Sequence, residues 1–329
     1  MKQPSPERGQ VVVTGVAGFI GSHLAEALLS QGWEVVGVDA FTNYYPAADK
    51  WRNLAGILER PGFELVRADV ATESVQACLE GAEVVFHQAA QPGVRTSWGR
   101  EFAKYLHHNV LATQRLLEAS VQAGIPRFIL ASSSSVYGNA PTYPTTEESA
   151  TRPVSPYGVS KLAAEHLCLA YADESHMSVA VLRYFTVYGP RQRPDMGFRR
   201  FMEAALAGQP IVVYGDGKQT RDFTYVGDVV RANLLAMAAP IRTEAVNIGG
   251  GHRISLNETL DLIGQTTGRR LRIDRRPALP GDVRHTGADG TRAEALLNYR
   301  PETDLADGLR AQSAWMAERR QSVAARGPA

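Results

Sequence analysis

Six short apolar segments, spaced along the first half of the chain, constrain its fold more than any other feature. They are "QVVVTG", "EVVGVD", "FELVRAD", "AEVVFHQAA", "RFILASSSS" and "SVAVLRYF". Between them lie stretches with helical spacing of apolar residues, such as "FIGSHLAEALLSQG", "AKYLHHNVLATQRLLEASVQAG" and "YGVSKLAAEHLCLAYADE". A strand that is apolar throughout is buried on both faces, and strands that alternate with helices pair in parallel. The expected fold is α/β: a doubly wound parallel sheet of the Rossmann type, spanning residues 9–185. After Tyr188 the texture changes. "GPRQRPDMGF" reads as a long loop, and shorter elements follow. The expected boundaries are a first domain of residues 1–185, joined by a returning segment near 224–250, and a smaller mixed α/β domain of residues 186–329. Open sheets bind ligands beyond the carboxyl ends of their strands, so the cleft between the two parts is the expected site.

Composition removes several functional classes. The chain has 329 residues, with 35 Lys and Arg against 34 Asp and Glu, a net charge of +1. That balance disfavours a nucleic-acid partner. No apolar run reaches ~18 residues, so no membrane span is expected. The start, "MKQPSPERGQ", lacks the apolar core of a secretory signal. Cys78 and Cys168 are far apart, which fits free thiols in a reducing cytoplasm. They show no metal-ligand spacing, and His107-His108 reads as a solvated pair without further ligands. No metal is expected.

Two constellations carry chemistry. The first is "VTGVAGFIG", which places Gly15, Gly18 and Gly21 between a strand and a helix. Glycines there permit a tight turn, close approach of backbone to a pyrophosphate, and helix–strand packing. Asp39 ends the second strand, where an acidic side chain accepts from ribose hydroxyls and repels a 2′-phosphate. NAD is therefore favoured over NADP as the cofactor. The second is "SPYGVSK". Tyr157 and Lys161 stand four residues apart, on one face of a helix that Ser155 can cap and Pro156 can begin. A lysine cation beside a phenol favours the phenolate, drawing it below ~10 toward a working base. Tyr214 and Lys218 in "YGDGK" have the same spacing, but the two glycines between them mark a turn.

The glycine turn, "HQAA", Asn109, "SSSSVYG", "YGVSK" and "LRYFTVYGPRQRPD" together resemble the extended short-chain dehydrogenase/reductase family, the NAD-dependent epimerases and dehydratases of nucleotide sugars. The resemblance runs over most of the chain. It implies Tyr157 as the base, Lys161 as the group that binds the nicotinamide ribose and lowers the phenol's pKa, and Ser133 as a hydrogen-bond partner of the sugar oxygen. It also implies a cofactor site built from Gly15, Gly18, Phe19, Ile20, Gly21, Asp39, Asp69, Val70, Ala89, Ala90, Asn109 and Tyr184, beside Tyr157 and Lys161. On the nucleotide side it implies Arg221 at the pyrophosphate and Asp282 at the uridine ribose; the alternative for Arg221 is an ion pair with Asp222 or Asp228. In similar proteins the helices corresponding to residues 101–123 and 157–173 form a four-helix bundle between subunits, so a homodimer is expected.

The residues after Ser133 narrow the reaction. Family members that resemble 4,6-dehydratases carry Asp and Glu there, and those that resemble nucleotide-sugar acid decarboxylases carry a glutamate. Here both positions are hydroxyls, Ser134 and Ser135. A serine is no general acid near neutral pH, so elimination lacks its proton carrier. Transient oxidation at C4 with return of hydrogen to the other face, a 4-epimerisation, is left. "QPGVRTSWG" with Arg95, "RYFTVYG" with Thr186 and "GPRQRPDM" with Arg191 and Arg193 look like the UDP-glucuronate 4-epimerases. The resemblance therefore implies UDP-glucuronate as substrate, its carboxylate held by Ser133, Ser134, Ser135 and Thr186. The alternatives are a 4-epimerase of neutral UDP-sugars such as UDP-glucose or UDP-GlcNAc, a UDP-glucuronate decarboxylase, a 4,6-dehydratase, and an NAD-binding scaffold without turnover.

Overall fold

The structure is a computed structural model that describes residues 8–277 and 283–325. The strands are β1 (Gln10–Thr14), β2 (Glu34–Val38), β3 (Phe63–Val66), β4 (Ala82–His87), β5 (Arg127–Ser133), β6 (Ser178–Tyr184), β7 (Thr186–Tyr188), β8 (Ile211–Tyr214), β9 (Thr220–Tyr225), β10 (Thr243–Ile248), β11 (Arg253–Ser255) and β12 (Ile273–Arg276). The helices are α1 (Phe19–Ser30), α2 (Ala47–Leu54), α3 (Gln76–Leu79), α4 (Phe102–Tyr105), α5 (Ala112–Gln122), α6 (Pro156–Glu174), α7 (Gly197–Leu206), α8 (Val226–Ala238), α9 (Leu256–Thr267), α10 (Thr291–Leu297) and α11 (Leu305–Ala325). Between α4 and α5 the helix passes through a π turn, Leu106–Leu111.

Seven parallel strands form the main sheet in the order β10-β6-β5-β4-β1-β2-β3. The order reverses between β1 and β4, the place where a doubly wound sheet opens its ligand crevice. Its strands are apolar throughout because each face is covered. Val11, Val13 and Ile129 pack with Leu24, Leu28 and Val229 on one face. Val12, Phe128 and Leu130 pack with Leu116, Leu117 and Cys168 on the other. The chain leaves this sheet at β7 and returns through α8 and β10, which closes its edge beside β6. The smaller sheets are β11-β9-β7 and β12-β8. A third cluster, with Tyr188, Phe198, Met202, Ile263 and Leu309, lies under α7, α9 and α11.

Helix α2 ties these parts together. Its Asp49 pairs with Arg199 of α7 at 3.1 Å and with Arg319 of α11 at 2.9 Å. The next residue, Lys50, pairs with Asp39 at the end of β2 at 3.2 Å. Both Asp49 and Lys50 are buried.

Two sequence-based boundaries shift. The fifth strand stops at Ser133, and Ser134–Val136 form a 3₁₀ turn that Ser133 caps by accepting from Ser135 N. Phe63–Val66 is shorter than expected, which leaves Asp69 in the loop beyond it.

His87, at the end of β4, sits in a directional chain of hydrogen bonds. The Thr113 hydroxyl donates to Asn109 O at 2.7 Å, so it accepts from His87 Nε2–H at 2.9 Å. His87 Nδ1 is then the acceptor for the Thr14 hydroxyl at 2.7 Å, and Thr14 accepts from Ala89 N at 3.2 Å. This network assigns a neutral ring protonated on Nε2. Burial, with Lys161 nearby, pushes the imidazole down to about 3. The unfolded chain therefore binds a proton that the folded chain refuses as pH falls below ~6.5, and stability is lost across that window. At pH 5 the His87 contribution to that loss is about 2 kcal/mol. In H87Q the difference in urea-unfolding free energy between pH 7 and pH 5 should shrink by that amount; an unchanged difference would exclude the neutral buried ring.

Candidate functional site

The carboxyl ends of β1, β2, β4 and β5 open into a cleft. The glycine turn forms its floor. Gly15 takes φ +68°, and its N–H donates to Val38 O at 2.7 Å. A Cβ on Gly15 would stand 2.7 Å from Ala89 N, and one on Gly21 would collide with Gly15 O. The backbone of β4's exit and the start of α1 thus meet with no room for a side chain. Gly18 is the N-cap of α1, a helix with no acidic residue in its first turn. Its free N–H groups and positive dipole end suit a diphosphate.

Thirteen of the residues expected at the cofactor line this cleft: Gly15, Gly18, Phe19, Ile20 and Gly21 at the turn; Asp39, Asp69 and Val70 beyond β2 and β3; Ala89 and Ala90 after β4; and Tyr157, Lys161 and Tyr184 opposite. Asn109 lies one layer behind. It accepts from Gln91 N at 2.6 Å and donates to Gln91 O at 3.0 Å and Ser160 Oγ at 2.9 Å, so it holds the cleft wall.

Asp39 is 7% exposed. Its carboxylate accepts from Ala17 N at 3.1 Å, Phe41 N at 2.7 Å and Lys50 Nζ at 3.2 Å. The sequence places "FTNYYPAADK" as a loop near the adenosine or the sugar without assigning a role to its residues; Lys50, Thr42, Tyr44 and Tyr45 of that stretch line the same cleft. The signal in the sequence was an aromatic-rich stretch directly after the acidic strand end. The reading of His107 and His108 as a solvated pair is corrected. The π turn brings both toward Asp69, with His107 Nε2 2.9 Å from Asp69 Oδ2, and one ligand atom of each of the three within 4.8 Å of the others. His107 and Ala71 N hold the Asp69 carboxylate below its usual range, against the opposing effect of burial.

Tyr157 occupies the second position of α6, after Pro156, and Ser155 caps the helix by accepting from Gly158 N at 3.1 Å. The ring lines the cleft. Burial raises the phenol above its ordinary value; a hydrogen bond with Ser133 and the positive charge of Arg193 pull it back, and Tyr105 opposes them. The net displacement is upward, where sequence reasoning expected a lowered value. Arg193 is held in place by a two-pronged pair with Asp195, at 3.0 Å on each prong, and Tyr44 donates to the same carboxylate at 3.1 Å. Lys161 is 3% exposed, and burial draws it down to about 8, with Glu165 acting to raise it.

The four serines divide. Ser132 is buried and donates to Glu165. Ser133, Ser134 and Ser135 are half-buried. Ser133 pairs in register with Tyr184, and Thr186 starts β7 two residues later, so Ser133 and Thr186 both lie near the carboxyl ends of β5 and β6. A second cavity adjoins the first and shares Tyr44 with it. Arg95 lines it, with its guanidinium 5.1 Å from the centre of the Tyr214 ring, which also faces the cavity with Phe201. Arg221 lies on β9 and donates to Thr220 O and Arg284 O. Asp222 accepts from Gly250 N and Ala288 N, while Asp228 pairs with Arg231 and accepts from Glu302 N. Asp282 lies outside the described residues.

The family model described as the NAD dependent epimerase/dehydratase family matches residues 11–249. A relative from Bacillus subtilis, named as an uncharacterized UDP-glucose epimerase, is 42% identical over 93% of this chain and 98% of its own. The UDP-glucuronate 4-epimerase of Thermodesulfobacterium geofontis is 35% identical over 94% of this chain and 97% of its own. The solved structure of UDP-glucuronic acid 4-epimerase from Bacillus cereus with UDP-glucuronic acid and NAD has a TM-score of 0.91 at 40% identity, covering 94% of this chain and 99% of that one. A family match that holds the glycine turn, the serine edge and α6 within its span, joined to relatives that agree along nearly the whole chain, makes this protein a member of the NAD-dependent epimerase/dehydratase family.

Proposed function

We propose that the chain is a UDP-glucuronate 4-epimerase, converting UDP-glucuronate to UDP-galacturonate through a transient 4-keto sugar, with NAD as its resident cofactor. The observation that carries this reading is the composition of the serine edge. Ser133 acts on the phenol of Tyr157, and the two positions after it are hydroxyls where dehydration or decarboxylation would need a carboxylate.

The glycine turn and the start of α1 would hold the diphosphate of the cofactor, Asp39 and Lys50 would serve the adenosine ribose, and Lys161 the nicotinamide ribose. When bound, NAD⁺ would supply the acceptor for the C4 hydrogen, which returns to the opposite face of the ring. Tyr157 takes the proton of the 4-hydroxyl as C4 is oxidised and returns it as C4 is reduced. Ser133 steadies that oxygen, and Arg193 favours the phenolate that burial opposes. Oxidation at C4 of a glucuronate creates a β-keto acid, which loses CO₂ when its carboxylate stands perpendicular to the carbonyl. Ser133, Ser134, Ser135 and Thr186 donate to the carboxylate and keep it out of that geometry, with Arg193 beside them.

The second cavity, lined by Arg95 and bounded by Tyr214 and Phe201, is the space we assign to the UDP portion; the roles of Arg221 at the pyrophosphate and Asp282 at the uridine ribose carry over from the family resemblance alone. In this arrangement residues 1–185 with 224–250 carry the cofactor, and residues 186–329 carry most of the nucleotide-sugar site. Leu106, Leu111 and Val159 are exposed on the π turn and α6, a face suited to a second copy of the chain in a homodimer. The free thiols of Cys78 and Cys168 suit the cytoplasm. The second reading, a 4-epimerase of neutral sugars, is favoured by relatives named for UDP-glucose, among them those of Bacillus subtilis and Mycolicibacterium smegmatis. The serine edge and the nearby guanidinium favour the acid.

Incubation with UDP-glucuronate, UDP-glucose and UDP-GlcNAc, with NMR of the products, decides between them; C4 inversion of the neutral sugars alone would reject the acid. Y157F should lose a factor of about 10²–10⁴ in turnover while keeping its bound cofactor. S134A and T186A should release a UDP-pentose alongside the epimer; clean epimer from both variants, with undiminished preference for the acid sugar, removes the carboxylate cradle.

A further inference from the structure

Helix α6 carries Tyr157, Lys161 and Glu165 at successive intervals of four, one turn apart on the same side. The first two belong to the proposed reaction. The third is a carboxylate that is 3% exposed and lies away from the cleft. An unpaired carboxylate in that position would cost several kcal/mol. Glu165 is instead fully engaged. Arg183 of β6 grips it through Nη2 at 2.7 Å and Nε at 3.1 Å, and the Ser132 hydroxyl of β5 donates to it. Arg183 is fixed in turn. Its Nη1 donates to Tyr137 Oη at 2.8 Å, and that hydroxyl donates to Asn247 Oδ1 at 2.7 Å. The network joins α6, β5, β6 and β10 directly behind the reacting residues.

Apolar side chains would stabilise this layer at least as well as a buried ion pair. Ala164, Cys168 and Ala172 on the same helix are fully buried in that way. The reason for a carboxylate lies in what surrounds Lys161. The groups acting on it are Glu165 and the Cys168 thiol from its own helix, and His87 from β4, which is neutral. Tyr157 is faced by Ser133 of β5, Arg193 from the loop after β7, and Tyr105 of α4. Glu165 is thus the anion set against Lys161, and through Ser132 it touches the strand residue that precedes Ser133.

We propose that Glu165 is a positioning residue for the reaction: its carboxylate, pinned by Arg183 and Ser132, keeps Lys161 in place as an ammonium one turn from the base. Burial already draws Lys161 down to about 8, and Glu165 acts against that fall. Without it the ammonium is lost at lower pH, and with it the charge that the proposed reaction places at the nicotinamide ribose. The inference rests on Tyr157 and Lys161 being the reacting pair, a reading that Y157F tests by itself.

The experiment is the pH profile of kcat/KM for the wild type, E165Q, E165D and the double variant E165Q/R183Q, with the UDP-sugar the wild type turns over. The readout is the ratio of kcat/KM at pH 8.5 to that at pH 6.5, which cancels a uniform loss from altered folding. In E165Q the alkaline limb should move about one unit toward acid, so that the ratio falls about sixfold. E165D keeps the charge and should restore the wild-type limb. The double variant removes anion and cation together and leaves no buried charge unpaired, and its limb should move as in E165Q. An unmoved limb in both E165Q and the double variant would overturn the inference, even with lower overall activity; a Y157F variant that retains turnover would instead overturn the reading beneath it.

Discussion

Every strand of the main sheet runs the same way, and the arrangement of the site follows from that. A parallel sheet covered on both faces has to be apolar along its strands, so polar groups can collect only where the strands end. The carboxyl ends of β1, β2, β4, β5 and β6 deliver the glycine turn, Asp39, the alanines after His87, the serine edge and Tyr184 to one rim. Helix α6 then leaves that rim with its first turn still inside the cleft, which sets Tyr157 beside Ser133.

The electrostatics of the site come from competing demands. Enclosure strengthens contacts between charges but disfavours ionisation of both the phenol and the ammonium. In Tyr157 that effect is opposed by Ser133 and Arg193, and in Lys161 by Glu165. The cations near the base are themselves tethered, Arg193 by Asp195 and Arg183 by Glu165. Charges fixed in this way need little rearrangement when an oxyanion forms.

Much of this was legible in the sequence, and the illegible parts have physical causes. Six of the seven strands of the main sheet announce themselves because burial demands apolar runs, as in "VVV" or "FILA", whereas β10, "TEAVNI", carries too many polar residues to do so. Strand β9, "TRDFTY", is half-buried and alternates polar with apolar residues, so it carries no such signal. The glycines, the Tyr157–Lys161 spacing and Asp39 were readable because each depends on residues near one another in sequence. Lys50 was not, since its importance arises only when α2 folds back on the end of β2. Neither was the approach of His107 to Asp69, which joins positions 38 residues apart. The direction of the Tyr157 shift was misjudged because sequence spacing shows a neighbouring cation but not the depth of enclosure.

Helix α2 gives the molecule a mechanical property. Two adjacent residues face opposite ways: Asp49 grips α7 and α11, and Lys50 grips the Asp39 carboxylate at the end of β2. To swing the C-terminal helices away from the sheet, the protein has to part the buried ionic contacts of Asp49. The neighbouring cavity is lined by none of these residues, so a molecule that enters there leaves both grips of α2 undisturbed.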